Sequence, residues 1–321
     1  MDVNSYSGSD QLIHDDLNVQ QIDADEDLLE EFPDDTEVID LVQSRITSIK
    51  ALGLERFHRL DSLCLRQNQI RKIECLPKNL TELDLYDNLL RQIENLDEQV
   101  HLKNLDLSFN NIKVIENVSH LKELENLYFV QNRIRKIENL EGLTKLENLE
   151  LGGNKIRAIE NLDTLTNIDK LWLGKNKITK LENLEKLQRL SLLSIQANRI
   201  TRFENLNCLS HCLRELYISH NGLTSFEGIE VLENLQVLDV SNNYIKHLSH
   251  LKGLKNLQEF WASSNEFDSF QEIEDELSGL EKLETVYFEG NPLQKSNPAL
   301  YRNKVRLCLP NLLQIDATPT R

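Results

Sequence analysis

The stretch 124-LENLYFVQNRIRKIENLEGL-143 decides the fold of this chain. Its apolar residues follow the pattern LxxLxL up to Phe129, and from Ile134 onward they recur at every third position. The same pattern begins again at Leu146, which lies 22 residues after Leu124. A fixed period of this length is typical of solenoids, in which every repeat adds one structural unit to a continuous stack.

The two halves of the repeat indicate different backbone conformations. The alternating apolar residues before Asn132 predict a short β-strand with one buried face. The three-residue spacing after Asn132 predicts a 3₁₀-like or irregular return segment. Asn132 itself lies where the chain turns, and its amide can pair with backbone groups that would otherwise be buried without partners. We therefore predict an α/β solenoid with a curved parallel sheet on its concave face and a 3₁₀ or irregular convex side.

The repeated asparagine marks the units along most of the chain. Counting a degenerate first unit, in which Ser44 takes this place, the sequence contains about twelve repeats of roughly 22 residues. The last interval is longer, and we place its insertion near Asp268–Gly279 on a loop or short helix away from the strands. The asparagines are Asn68, Asn88, Asn110, Asn132, Asn154, Asn176, Asn198, Asn221, Asn243, Asn265 and Asn291.

The charge of the chain is unevenly distributed and predicts its domain organisation. The formal net charge of the 321 residues is −17, and fourteen acidic residues lie within residues 1–40, which contain no Lys or Arg. We predict an acidic disordered tail over residues 1–36, leucine-rich repeats over 37–291 and a C-terminal cap over 292–321. A short acidic docking segment around Leu28–Phe32 is the alternative for the end of the tail. In the cap, the apolar spacing of Asn297–Leu309 predicts a helix.

Composition and missing motifs argue against several functional classes. Nearly neutral repeats behind an acidic tail are unlike a protein that binds nucleic acid through phosphates. No basic-then-apolar leader and no apolar run of membrane-spanning length are present in the sequence. The five cysteines do not form the flanking clusters of secreted repeat proteins, so we expect reduced thiols and no metal site. Without a phosphate-binding glycine loop, a His-Glu-x-x-His motif or a nucleophile elbow, we expect neither an enzyme nor a cofactor.

The candidate binding site is the column of residues between the last two apolar positions of each LxxLxL. These side chains point away from the core and line the concave face, and they include both tryptophans and three of the seven tyrosines of the chain. Large rings on an uncovered sheet face favour a protein-binding groove. The alternative is that neighbouring side chains only pair with each other and stiffen the sheet. The column consists of Cys64, Asp84, Asp106, Tyr128, Glu150, Trp172, Ser194, Tyr217, Asp239, Trp261 and Tyr287.

The repeat and the end of the chain carry a family resemblance. The unit LxxLxLxxNxIxxIENLxxLxx resembles the shortest, intracellular class of leucine-rich repeats. The run of such units, the acidic head and the ending 291-NPLQKSNPALYRNKVRLCLPNLLQIDAT-318 together resemble the leucine-rich-repeat regulatory subunits of protein phosphatase 1, the regulatory subunit 7 family. The resemblance covers about residues 37–321. An adaptor of the same repeat class, serving a cytoskeletal or RNA-processing complex, is the alternative.

The resemblance implies a function and a set of contact residues. It implies a non-catalytic partner of the protein phosphatase 1 catalytic subunit, found in nucleus and cytoplasm and associated with mitosis, and it suggests a ternary complex with phosphatase inhibitor 3. In this family, aromatic and acidic residues of the concave face hold the phosphatase. Tyr128 and Trp172 stand where the family pattern has Phe, and both keep a ring. The matching positions are Asp106, Tyr128, Glu150, Trp172, Asp239, Glu259, Trp261 and Tyr287.

Overall fold

The computed structural model describes residues 26–320, which form a solenoid built on one 14-stranded sheet. Strands β1 to β13 are paired in parallel in chain order, and β14 closes the sheet antiparallel to β13. The predicted parallel-sheet solenoid is therefore confirmed. The strands are β1 Val38–Asp40, β2 Ser62–Cys64, β3 Glu82–Asp84, β4 Asn104–Asp106, β5 Asn126–Tyr128, β6 Asn148–Glu150, β7 Lys170–Trp172, β8 Leu192–Ser194, β9 Glu215–Tyr217, β10 Val237–Asp239, β11 Glu259–Trp261, β12 Thr285–Tyr287, β13 Gln314–Ile315 and β14 Thr318–Pro319.

Each three-residue strand from β1 to β12 buries its middle residue, which is apolar in every repeat. Leu127 of β5 and Leu149 of β6, for example, are fully buried against the apolar residues of the return segment. Since successive side chains of a strand point to opposite faces, the first and third residues of every strand face outward. Stacking adds one apolar layer per repeat, so the core runs unbroken along the solenoid.

The repeated asparagine satisfies backbone groups of two adjacent repeats. The Nδ2 of Asn132 donates to the carbonyl oxygens of Leu107, at 2.9 Å, and Phe129, at 3.3 Å. Its Oδ1 accepts from the backbone N of Ile112 at 2.9 Å. The same pattern recurs at Asn154, one repeat further along. These buried amides confirm the predicted role, because they pair the polar backbone groups of the turn where water cannot reach them.

The convex side consists mainly of turns with short helices. A second asparagine of the repeat, Asn139 for example, adopts a left-handed conformation with φ of 60° and donates to the carbonyl oxygen of Ile115 in the previous repeat at 2.6 Å. The predicted insertion forms the helix Phe270–Leu277, α1. It begins after Ser269, whose Oγ accepts from the backbone N of Glu272 at 3.3 Å. The helices are 3₁₀ segments Glu26–Leu29, Lys50–Leu52, Leu54–Arg56 and Asn207–Leu209, and α1 Phe270–Leu277, α2 Pro292–Lys295 and α3 Pro298–Cys308.

The predicted disordered tail over residues 1–36 needs a correction at its C-terminal end. The 3₁₀ helix Glu26–Leu29 packs on the first repeat, where Leu29 is 2% exposed and Arg56 donates to its carbonyl oxygen. The apolar side chains of the alternative docking segment Leu28–Phe32 pack against the same core. These contacts order the chain because they close the open end of the apolar core. Residues 1–25 of the predicted tail lie outside the described residues.

The C-terminal end of the solenoid is covered by helix α3 and strand β13. The predicted helix over Asn297–Leu309 is found as α3, which buries Tyr301 and Val305. The Tyr301 hydroxyl donates to Oδ2 of Asp316 at 2.9 Å, and Oδ1 of Asp316 accepts from the backbone N of Phe288 at 2.9 Å. Because β13 takes the free edge of β12, that edge is not available to another strand.

Candidate functional site

The third residues of the strands form one continuous row on the concave face. Strand register places Asp106 beside Tyr128, Tyr128 beside Glu150 and Glu150 beside Trp172, and it pairs Asp239 with Trp261 and Trp261 with Tyr287. The residues that the repeat spacing predicts to be neighbours are therefore adjacent on the sheet. The eighth candidate, Glu259, lies next to Trp261 in the parallel row formed by the first residues of the strands. All eight candidates, Asp106, Tyr128, Glu150, Trp172, Asp239, Glu259, Trp261 and Tyr287, therefore share this face.

A cluster of three rings occupies the C-terminal part of the row. The ring of Trp261 lies 6.0 Å from that of Tyr217 and 5.9 Å from that of Tyr287, measured between centroids. Tyr217 and Trp261 are two strands apart and meet over Asp239 of the strand between them, which is only 8% exposed. The Oδ1 of Asp239 accepts from the backbone N of Ser241 at 2.9 Å. The three rings therefore form the accessible surface of this cluster, and the Asp239 side chain lies beneath them.

Polar partners fix the orientation of each ring in this cluster. The indole Nε1 of Trp261 donates to Oε2 of Glu259 at 3.1 Å, and the Tyr217 hydroxyl donates to Oε2 of Glu215 at 2.8 Å. The Nε2 of Gln314 donates to the Tyr287 hydroxyl at 2.6 Å. Burial, and then the hydrogen bond to Glu215, raise the pKa of Tyr217, so its hydroxyl keeps its proton. The aromatic surface is therefore held in place before anything binds to it.

The two central rings are linked by an asparagine that the sequence did not single out. Asn148 accepts from the indole Nε1 of Trp172 at 3.1 Å and donates to the Tyr128 hydroxyl at 3.2 Å. It belongs to a run of asparagines at the first strand position, in which Asn126 donates to Asn104 at 2.7 Å. The recurrence of Asn at this position in three consecutive repeats was the available signal. These amides position the rings from the neighbouring row.

Carboxylates dominate the N-terminal half of the same row. Burial raises the pKa of Asp84 and of Glu150 above the usual range, and the negative charge of Asp106 raises both further. The nearest cation is Arg66, whose Nη1 lies 3.3 Å from Oδ2 of Asp84. Partly buried carboxylates that raise each other's pKa favour a partner that brings positive charge to this face.

A smaller stack lies at the edge of this acidic region. The Arg66 guanidinium lies 4.3 Å above the ring of Tyr86, and the rings of Tyr86 and Phe109 are 4.8 Å apart. Phe109 is 41% exposed and adopts a left-handed conformation, with φ of 54°. The concave face therefore offers rings near both of its ends.

The described residues offer no obvious site for other chemistry. Within residues 26–320, no group of three His, Cys, Asp or Glu side chains could hold a metal ion. In that same range no helix is long and apolar enough to span a bilayer. All five cysteines are free thiols, and burial raises the pKa of Cys64 to about 11.

Comparisons with known proteins identify the family. Leucine-rich-repeat family models match residues 100–156, 142–239 and 234–254. The chain is 80% identical over 308 residues to "Protein phosphatase 1 regulatory subunit SDS22" of Schizosaccharomyces pombe, an alignment that covers 96% of this chain and 93% of the relative. Human "Protein phosphatase 1 regulatory subunit 7" is 60% identical over 47 residues, which cover 15% of this chain and 12% of that protein.

Solved structures agree on the architecture. A leucine-rich-repeat protein of Leptospira interrogans matches with a TM-score of 0.66 and 26% identity, covering 83% of this chain and 74% of that one. An internalin of Listeria monocytogenes matches with a TM-score of 0.68 and 21% identity, covering 92% and 94% respectively, and shows the fold alone. With the relationship to SDS22 spanning nearly both full sequences, the chain belongs to the family of leucine-rich-repeat regulatory subunits of protein phosphatase 1.

Proposed function

We propose that this chain is a non-catalytic regulatory subunit that binds the protein phosphatase 1 catalytic subunit through its concave face. The relative that is 80% identical over 308 residues is named as a regulatory subunit of that enzyme. The observation that carries the proposal is the row of half-buried rings on the concave sheet face, at Tyr128, Trp172, Trp261 and Tyr287. Tyr and Trp side chains are enriched at protein-binding surfaces, so several of them on an uncovered sheet face favour such a surface.

The arrangement favours tight binding because its anchors are ordered in advance. Trp261 is held by Glu259 and lies against two tyrosine rings, so its side chain loses little conformational freedom on binding. Trp and Tyr in such settings dominate the affinity of many interfaces. The carboxylates of Asp106 and Glu150 would select a partner surface with positive charge.

The wider role is proposed from the family relationship. The chain would control the activity, maturation or localisation of the phosphatase, in the nucleus and the cytoplasm and including in mitosis. Phosphatase inhibitor 3 would be a third member of the complex. The chain would itself have no catalytic activity, because the carboxylates of the concave row lie on an open sheet face.

The test is capture of the phosphatase catalytic subunit by a Glu259→Ala, Trp261→Ala double variant. Truncating one aromatic anchor costs about 2 kcal/mol or more at such an interface, which corresponds to a loss of roughly 30-fold or more in affinity. A matched control is Tyr244→Ala, Glu266→Ala, which removes one ring and one carboxylate from the same part of the solenoid. Tyr244 is 60% exposed and, like Glu266, directly follows a repeated asparagine instead of lying on a strand.

The expected result is loss of capture by the first variant and retention by the control, with unchanged circular dichroism for both. Undiminished capture by the Glu259→Ala, Trp261→Ala variant would exclude the concave face as the phosphatase site. Recovery of a cytoskeletal or RNA-processing complex from cells, with no phosphatase, would instead support an adaptor of the same repeat class.

A further inference from the structure

The segments that follow the repeated asparagines carry a concentration of positive charge. In the first eight repeats we consider the first, third and fourth residues after the asparagine, or after Ser44 in repeat 1. These twenty-four positions hold fourteen Lys and Arg and no Asp or Glu, whereas the whole chain has 36 Lys and Arg and 53 Asp and Glu. In repeats 9 to 11 the same positions hold only one Lys and two acidic residues. We call the residues at these positions of repeats 1–8 the basic strip.

Backbone hydrogen bonds show that the strip is continuous. The backbone N of Arg133, Lys155, Lys177 and Arg199 each donates at 2.8 Å to the carbonyl oxygen of an isoleucine in the preceding repeat. The first positions after the asparagine are therefore stacked one repeat apart, as rungs of one ladder. Arg133, Lys155 and Arg199 are exposed and Lys177 is half-buried, so this ladder presents a row of cations to solvent.

Most basic side chains of the strip form no ion pair within residues 26–320. Of the fourteen basic residues, only Lys136 forms an ion pair there, with its Nζ 3.7 Å from Oε2 of Glu138. Glu138 belongs to the glutamate row of the IENL phrase, which supplies one acid per repeat in repeats 2–8. Those glutamates are half-buried, whereas thirteen of the fourteen basic side chains are exposed. The strip thus keeps about half of its charge for a ligand.

The strip also has a groove that could receive an extended chain. Arg91, Lys113 and Arg133 of three consecutive repeats line a surface groove of about 780 Å³. The rest of its lining is the amides of Gln92 and Asn111, the side chain of Val114 and one carboxylate, that of Glu116. Guanidinium and amide groups are the donors that carboxylates accept from. With three cations against one carboxylate, the lining of this groove favours an acidic polypeptide.

The N-terminal segment of this chain has the negative charge and the length that a ligand of the basic strip needs. Residues 1–25 contain six Asp and no Glu, Lys or Arg. The segment joins the solenoid at the 3₁₀ helix Glu26–Leu29, which packs on the helix Lys50–Leu52, a few residues after the strip begins at Arg45. Twenty-five extended residues can reach about 80 Å, and eight repeats at ~4.8 Å between strands span about 40 Å along the sheet.

Two acidic residues at the C-terminal end of the acidic region, within the part that the structure describes, form ion pairs with basic residues of repeat 1. Asp34 lies 2.7 Å from Arg56, and Glu37 forms an ion pair with Arg59. A tethered segment has an effective concentration in the millimolar range, so weak exposed ion pairs suffice to hold it. We propose that residues 1–25 occupy the basic strip of the same chain and shield it from other acidic ligands.

Zero-length carbodiimide cross-linking of the full chain, read by mass spectrometry, tests the contact. Lys113 and Lys180 belong to the strip, and Lys122 and Lys186 are exposed lysines of the same two repeats that lie in the turns before the next strand. We expect about tenfold more links from the N-terminal aspartates to the strip lysines, a preference of ~1.4 kcal/mol. The links should disappear in 1 M salt, where the Debye length is about 3 Å.

A second measurement uses a variant with all six aspartates of residues 1–25 changed to Asn, and a fluorescent 20-residue polyglutamate peptide as the probe. The variant should bind the probe at least about tenfold more tightly than the parent chain, because the strip is then open. Adding Arg133→Gln, Arg135→Gln and Lys136→Gln should remove this gain. Equal linking of strip and control lysines would overturn the proposal. Equal probe affinity of parent and variant would overturn it as well, and would assign the strip to another acidic partner if both bind.

Discussion

Replacing Gln99 with Leu should make the protein more stable. Gln99 lies at the position of the repeat that is occupied by Leu143 in repeat 5 and Leu165 in repeat 6, both fully buried. Gln99 is 1% exposed, and its Oε1 has no hydrogen-bond partner among residues 26–320. Its backbone N and carbonyl oxygen are both bonded, to Leu96 at 2.9 Å and from Leu102 at 3.2 Å. The backbone of Gln99 is therefore satisfied, and only its side-chain oxygen is buried without a hydrogen bond.

The magnitude follows from that single buried oxygen. A buried acceptor without a partner costs about 1–3 kcal/mol, and Leu places a similar volume in the same space while removing the polar group. We expect the free energy of unfolding to rise by about 2 kcal/mol. The backbone should not change, because Leu already fits this turn in neighbouring repeats.

Urea denaturation followed by far-ultraviolet circular dichroism measures the change as a shift of the midpoint to higher urea. The reverse change, Leu143→Gln, is the matched control and should lower the midpoint, since it buries an amide where none is now present. An unchanged or lower midpoint for Gln99→Leu would refute the reasoning, because it would mean that the amide is satisfied in solution.

Two further predictions follow from the turn and the acidic region. Asn154→Ala should lower the free energy of unfolding by about 2 kcal/mol in the same assay, because the backbone N of Ile134 loses its partner and the carbonyl oxygen of Phe129 keeps only its longer hydrogen bond, from Asn132; a loss under ~1 kcal/mol would contradict this. Since burial raises the pKa of Glu150, its ionisation costs the folded state more than the unfolded state, and stability falls as pH rises through that pKa. Glu150→Gln should thus be more stable than the parent at pH 7 but equal to it at pH 3, and a difference that persists at pH 3 would count against this cause.

The register of the concave row could be predicted because the repeat length fixes it. Once Tyr128 and Glu150 are known to be 22 residues apart in equivalent units, parallel pairing must set them side by side, and it does. The role of Asn132 followed in the same way from chemistry, since an amide at a turn can both donate and accept. Both inferences need only the spacing of residues and the rule that buried polar groups are paired.

Contacts between rows could not be predicted in this way. The spacing of residues does not show which side chain at a first strand position contacts which ring at a third strand position. The hydrogen bonds that link Trp172 through Asn148 to Tyr128 therefore became visible only in the structure. The burial of Asp239 beneath two rings has the same origin, since it depends on tyrosine and tryptophan side chains that lean across an intervening strand. The packing of Leu29 on the first repeat could not be predicted, because the few apolar residues of Leu28–Phe32 have no period that would indicate what they contact.

Variation among equivalent positions separates structural rows from functional ones in this solenoid. Every repeat must place an apolar residue in the strand centre and an amide at the turn, so these rows are nearly uniform along the chain. Packing places no such demand on the concave third position, yet from Asp106 to Tyr287 it changes from carboxylate to ring and back. A partner without repeat symmetry needs a different contact at each step, which accounts for this irregularity. The basic strip is unlike either kind of row, since its positions vary between Lys, Arg and uncharged residues but never hold an acid, as expected where an acidic ligand is held by electrostatics and not by shape.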